Sequence, residues 1–222
     1  MKQKVSAFFI SVTAVITVTV AVIILSVSCS ASKINFKTTF YFVCYAVNDN
    51  AVSASSMSDA VSSYGGAGYI LEHGNGFYVT VACYYRESDA AAVCSGLKMR
   101  QLDCEVLEVT TEGYPLSSFG GKNYNLYLGN LNTLLSLSTL AYNCANELDT
   151  GGYSQAEAKS VIADVESGLK GLLAANPDNC FTQPIRRLVA ECGDARDGYI
   201  YSKNLRKLQI AIADVIININ LY

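Results

Sequence analysis

The chain has 222 residues, 51% of them hydrophobic and 16% charged, which excludes a disordered or charge-blocked polypeptide. A formal net charge of −3 leaves no basic excess to neutralise phosphates, so no nucleic-acid partner is expected. The single histidine, His73, excludes a histidine-built metal centre. Eight cysteines show no CxxC or CxxH spacing, so neither a metal nor a cofactor is expected.

Residues 7–27 carry no charge and consist mostly of Val, Ile, Ala, Ser, Thr and Phe. As a helix rising about 1.5 Å per residue, such a stretch matches a hydrocarbon core of about 30 Å. Lys2 and Lys4 precede it, and positive residues stay cytoplasmic, so the chain is expected to cross once with its amino terminus inside. The stretch is longer than a signal-peptide core and reads as an uncleaved transmembrane anchor. The small residues Ser28, Cys29, Ser30 and Ala31 also leave open a cleaved signal or a lipoprotein acylated at Cys29. Each alternative puts residues 31–222 outside the cytoplasmic membrane.

Beyond this segment, residues 39–47, TFYFVCYAV, are rich in β-formers and predict a strand. Residues 51–64 place Val52, Met57, Ala60, Val61 and Tyr64 at helical spacing, ended by Gly65-Gly66. A short strand over 68–72 and a longer one over 77–84 flank the turn His73-Gly74-Asn75-Gly76, where Gly and Asn accept positive φ. Ser88 or Asp89 can cap a helix running to about Arg100, and residues 104–109 close the series as a strand. The order βαββαβ with a tight hairpin predicts an α+β fold. Its core would be a ferredoxin-like four-stranded antiparallel sheet with two helices on one face.

Residues 111–121 read as a linker, and residues 122–222 as a helical domain of three amphipathic helices. The first carries Tyr127, Leu131, Leu134 and Cys144 and stops at Gly151-Gly152. The second opens with a Ser154/Glu157 capping box and has Val161, Ile162, Val165, Leu169 and Leu172 on one face. The third starts near Thr182 with Pro184 in its first turn and runs toward Tyr222, with Gly193 and Gly198 as candidate breaks. The cysteines read either as small buried hydrophobes or as one or two disulfides, with Cys180 and Cys192 the favoured pair.

Other signals carry less. His73 reads as a solvated turn residue, and Asp103, Glu105 and Glu108 as a chance cluster rather than a glycosidase pair. Gly65-Gly66 and Gly74-x-Gly76 do not precede helices as a phosphate loop would. No nucleophile motif is present, and no catalytic residue is expected.

Phe42-Val43-Cys44-Tyr45-Ala46-Val47 followed by Asn50-Ala51 is one half of a two-fold pattern. Gly76-Phe77-Tyr78-Val79-Thr80-Val81-Ala82-Cys83-Tyr84 followed by Ser88-Asp89-Ala90 is the other. In spacing and element order, residues 38–110 resemble a SPOR domain, the peptidoglycan-binding module of bacterial division and sporulation proteins. That resemblance implies non-catalytic binding of peptidoglycan glycan strands at a septum by a single-pass protein of the bacterial cytoplasmic membrane. In that family glycan lies on the sheet face opposite the helices. Strand alternation here puts Phe42, Cys44 and Ala46 with Phe77, Val79 and Val81 toward the helices. It leaves Tyr41, Val43, Tyr45, Tyr78 and Thr80 for the open face, where tyrosines suit sugar rings. The helical domain would then recruit a protein partner or self-associate. The alternative is a structural or interaction protein that docks protein partners without binding glycan. Val43 and Tyr45, where the family carries a Gln and a glycine, favour it.

Overall fold

The computed structural model describes residues 33–115, 124–175 and 180–219. The proposed anchor or signal at 7–27, with Cys29, lies outside the described residues, among which no helix is long and apolar enough to cross a membrane. The chain order is β1 (Lys33–Asn48), α1 (Ala51–Ser63), β2 (Tyr69–His73), β3 (Gly76–Tyr84), α2 (Glu87–Met99), β4 (Glu105–Pro115), then four helices. These are α3 (Tyr124–Thr150), α4 (Gln155–Ala175), α5 (Thr182–Arg196) and α6 (Ser202–Asn218). The fold is α+β, with one antiparallel sheet in the order β2-β3-β1-β4.

Local chemistry sets the boundaries. Asn50 caps α1, its side-chain oxygen accepting from the Ser53 N–H at 2.9 Å. At the other end of α1 the chain turns through Gly65 at φ 92°. A Cβ on Gly66 would lie 2.6 Å from Val61 Cγ1, so only glycine fits that close return onto the helix. The structure corrects the expected cap of α2: Arg86 stands at the N-cap with no side-chain bond, and Glu87 and Asp89 lie in the first turn, favourable to the helix dipole.

Strands β1 and β4 are longer than expected. Lys33, Asn35 and Lys37 are exposed while Ile34 and Phe36 are buried, the alternation of a half-buried strand. This stretch pairs with residues 111–115, which therefore belong to β4 rather than to a linker. The third expected helix is two, α5 and α6, divided where Gly198 takes φ 159°.

Two β-bulges decide the faces. Val43 pairs with Ala82, Cys44 with Thr80 and Ala46 with Val79, so Val81 and Tyr45 are each one residue extra. Helices α1 and α2 lie on one side of the sheet. There Val43, Ala82 and Tyr84 pack with Ala90 and Cys94, and Val79 packs with Ala54 and Val61. Helices α3 and α6 lie on the other side, with α4 and α5 behind them. Ile34, Phe36, Phe40, Phe42, Cys44, Leu71 and Cys83 face that bundle and form one continuous core with it.

Hydrogen bonds stitch the sheet to the bundle. Tyr69 donates to Asp214 at 2.6 Å and Tyr114 to the Ile216 carbonyl at 2.5 Å, both on α6. Tyr85 donates to Ser138 of α3 at 2.8 Å, and the fully buried Gln209 donates to the Cys83 carbonyl at 3.0 Å. Glu166 ties α4 to α5 through Arg196 at 2.8 Å and also pairs with Lys170 at 2.6 Å.

Candidate docking groove

The five residues expected on an open sheet face divide between two covered faces. Tyr41, Val43 and Tyr45 lie on the α1/α2 side and Tyr78 and Thr80 on the bundle side. Val43 and Thr80 are 0% exposed, and the Thr80 hydroxyl is used by the Tyr69 carbonyl at 2.8 Å. Tyr78 is half-buried against the main core. Strand alternation was sound within each half of β1 and β3. The bulges broke it between them, so α1 and α2 cover the β1 residues expected on the open face and the bundle covers those of β3.

Of the five, Tyr45 lines an opening large enough to receive a side chain. Helices α1 and α2 pack on the sheet rather than on each other. Between them runs a groove of about 380 Å³ lined by Tyr45, Val61, Tyr64, Leu97, Arg100 and Leu102, among others. A second opening of about 210 Å³ adjoins it across Tyr45, with Asp103 and Glu105 on its wall.

The far wall of the groove is held by backbone geometry. At the end of α2 the Leu102 N–H bonds the Leu97 carbonyl at 3.1 Å, and the Gln101 N–H bonds that of Lys98 at 2.9 Å. With Gln101 at φ 63° this is a Schellman cap, which folds Leu102 back onto Leu97. A left-handed residue with a side chain costs about 1–2 kcal/mol relative to glycine's freedom there. Gln101→Gly is therefore expected to raise stability by up to about 1 kcal/mol, read as a higher denaturation midpoint. A lowered midpoint would contradict the cap.

A disulfide closes the same segment. Cys94 of α2 bonds Cys104 at the start of β4, with Cα atoms 5.9 Å apart. This corrects the expected Cys180–Cys192 pair, since both of those are unpaired thiols, as are the buried Cys44, Cys83 and Cys144. Burial pushes the Cys44 and Cys192 thiols up to about 12, so they act as core packing rather than as nucleophiles. The loop-closure entropy of so short a ring is worth about 3 kcal/mol. Cys94→Ala/Cys104→Ala is expected to lower unfolding free energy by about that amount, measured by urea denaturation. An unchanged midpoint would show that the bond does not constrain the unfolded chain.

The remaining sequence signals resolve simply. His73 ends β2 opposite Gly76 in the hairpin. Glu105 and Glu108 project, exposed, from β4. Among the described residues no group of three or more His, Cys, Asp or Glu side chains is placed to hold a metal. The groove itself went unseen in the sequence, although its lining of Tyr45, Tyr64 and Arg100 uses residue types enriched at binding hot spots.

Comparison of the chain with protein-family models, with curated proteins and with solved structures returns no match.

Proposed function

We propose that this is a non-catalytic docking protein, held at the outer side of a bacterial cytoplasmic membrane by residues 7–27. In this reading its ferredoxin-like βαββαβ unit is SPOR-like in order. The sheet face that such domains offer to glycan has become an internal interface with helices α3 and α6. Recognition then falls to the α1/α2 groove, which takes an apolar side chain of a protein partner.

The observation that supports this most directly is the complete burial of Phe40, Phe42, Cys44 and Leu71 on the sheet face that packs against the bundle. A face made of such residues is too apolar to stand in water and wait for a sugar. The test is co-sedimentation of the detergent-solubilised full chain with peptidoglycan sacculi stripped of stem peptides. The chain is expected to stay in the supernatant.

A second reading keeps glycan binding but moves it. Tyr45 and the largely exposed Tyr64 stand on one groove, and two tyrosines can stack on pyranose rings. Pelleting that Tyr45→Ala/Tyr64→Ala abolishes would establish that reading in place of protein docking. Pelleting that survives the pair would move the glycan site off the groove altogether.

A further inference from the structure

Resting on the reading of the α1/α2 groove as a docking site, we infer that its partner segment is charge-ordered. An acidic residue lies toward Arg100, an apolar residue on Tyr45, and a basic residue toward Asp103 and Glu105.

Three observations carry this. Among the described residues, Arg100 is the one charged side chain on the larger opening, where its neighbours are Tyr45, Val61, Tyr64, Val81, Leu97 and Leu102. It is exposed, and its guanidinium makes no hydrogen bond or ion pair with another described residue. An unpaired guanidinium beside apolar walls is screened less than one in open water, and its planar fork suits a carboxylate. Across Tyr45, the adjoining opening carries the opposite sign, with Asp103 and Glu105 as its charged side chains and neither in an ion pair among the described residues.

The backbone that carries the two poles is braced at both ends. Arg100 is the C-cap residue of α2, fixed from behind by the Schellman turn at Gln101. Asp103 and Glu105 flank Cys104, whose disulfide to Cys94 anchors that end of the segment to the helix. A set order of unlike charges on either side of an apolar seat discriminates by register. A partner with the charges in reverse order brings like charges together at both ends.

The experiment uses the full chain in nanodiscs, panned against a display library of random nine-residue peptides. Enriched peptides are resynthesised and titrated. The expected result is enrichment of an acid and a base flanking Leu, Phe or Tyr. Arg100→Glu should weaken a selected peptide by at least about tenfold, and a peptide with its acid changed to Lys should recover the loss. Peptides that bind with no loss on Arg100→Glu, yet are displaced when Ala60→Trp, on the α1 wall of the groove, fills it, would overturn the charge order and leave the groove standing. Binders indifferent to Ala60→Trp, or no binders at all, would overturn the docking reading beneath it. Both variants are checked by thermal midpoint. Ala60→Trp is expected to leave it unchanged. Arg100→Glu, which sets an acid at the C-terminus of α2, is expected to lower it slightly while the chain stays folded at the binding temperature.

Discussion

Residues 33–115 expressed without the helices that follow are expected to aggregate or remain unfolded, although they contain the whole four-stranded sheet and the two helices, α1 and α2, that cover one of its faces. Ile34, Phe40, Phe42 and Leu71 are each 0% exposed, and all four face the bundle. Burying a side chain of this size is worth about 1.5–3 kcal/mol, so exposing four forfeits at most roughly 6–12 kcal/mol. That is comparable with the whole stability of an ordinary domain, about 5–15 kcal/mol. The fragment also loses the Tyr69–Asp214 and Tyr114–Ile216 hydrogen bonds. Size-exclusion chromatography and amide NMR dispersion of the fragment, beside residues 33–222, decide the matter. A monomeric fragment with dispersed amide signals would mean that the sheet unit is autonomous and that its apolar face has another cover.

Phe40→Ala is expected to destabilise the sheet and the bundle together. Phe40 packs against Phe42 and Tyr85, with ring centroids 6.1 and 5.9 Å away, at the centre of the shared core. Truncating a buried Phe to Ala costs about 3–5 kcal/mol, from lost transfer free energy and the cavity left behind. Since the core is continuous, the loss should appear as one shifted unfolding transition, seen alike by far-UV circular dichroism (mainly helix) and by tyrosine fluorescence. The chain's 15 tyrosines and absence of tryptophan make the latter a clean probe. Two separable transitions, only one of them moved by the substitution, would refute the single core. A loss below about 1 kcal/mol would show that the site collapses around the missing ring.

The order of strands and helices was legible because each segment carries its own period and punctuation. Asn50 caps α1, Gly65-Gly66 stops it, and Gly74-Asn75 turns the hairpin. The extension of β1 back to Lys33 is also written in the chain, in the alternation of Ile34 and Phe36 with Lys33, Asn35 and Lys37. The Cys94–Cys104 pairing was not legible. It depends on α2 returning over the sheet so that the start of β4 meets its last turns, a long-range arrangement that spacing does not encode.

The candidate site was the least legible part. Of the residues singled out, Tyr45 reaches the groove, and its partners Leu97, Arg100 and Leu102 come from another helix and the turn that ends it. By itself the sequence determined the α+β class, the strand order βαββαβ and the helical character of the tail, because periodicity and turn chemistry act over a few residues. The tertiary structure alone decided which face of each strand meets which layer. An extra residue at Val81 and another at Tyr45 reverse the alternation, and the bundle's apolar side chains find their cover on the sheet. Bulge placement and the docking of one amphipathic surface on another are settled by the free energy of burying the whole core at once, which no local stretch of sequence contains.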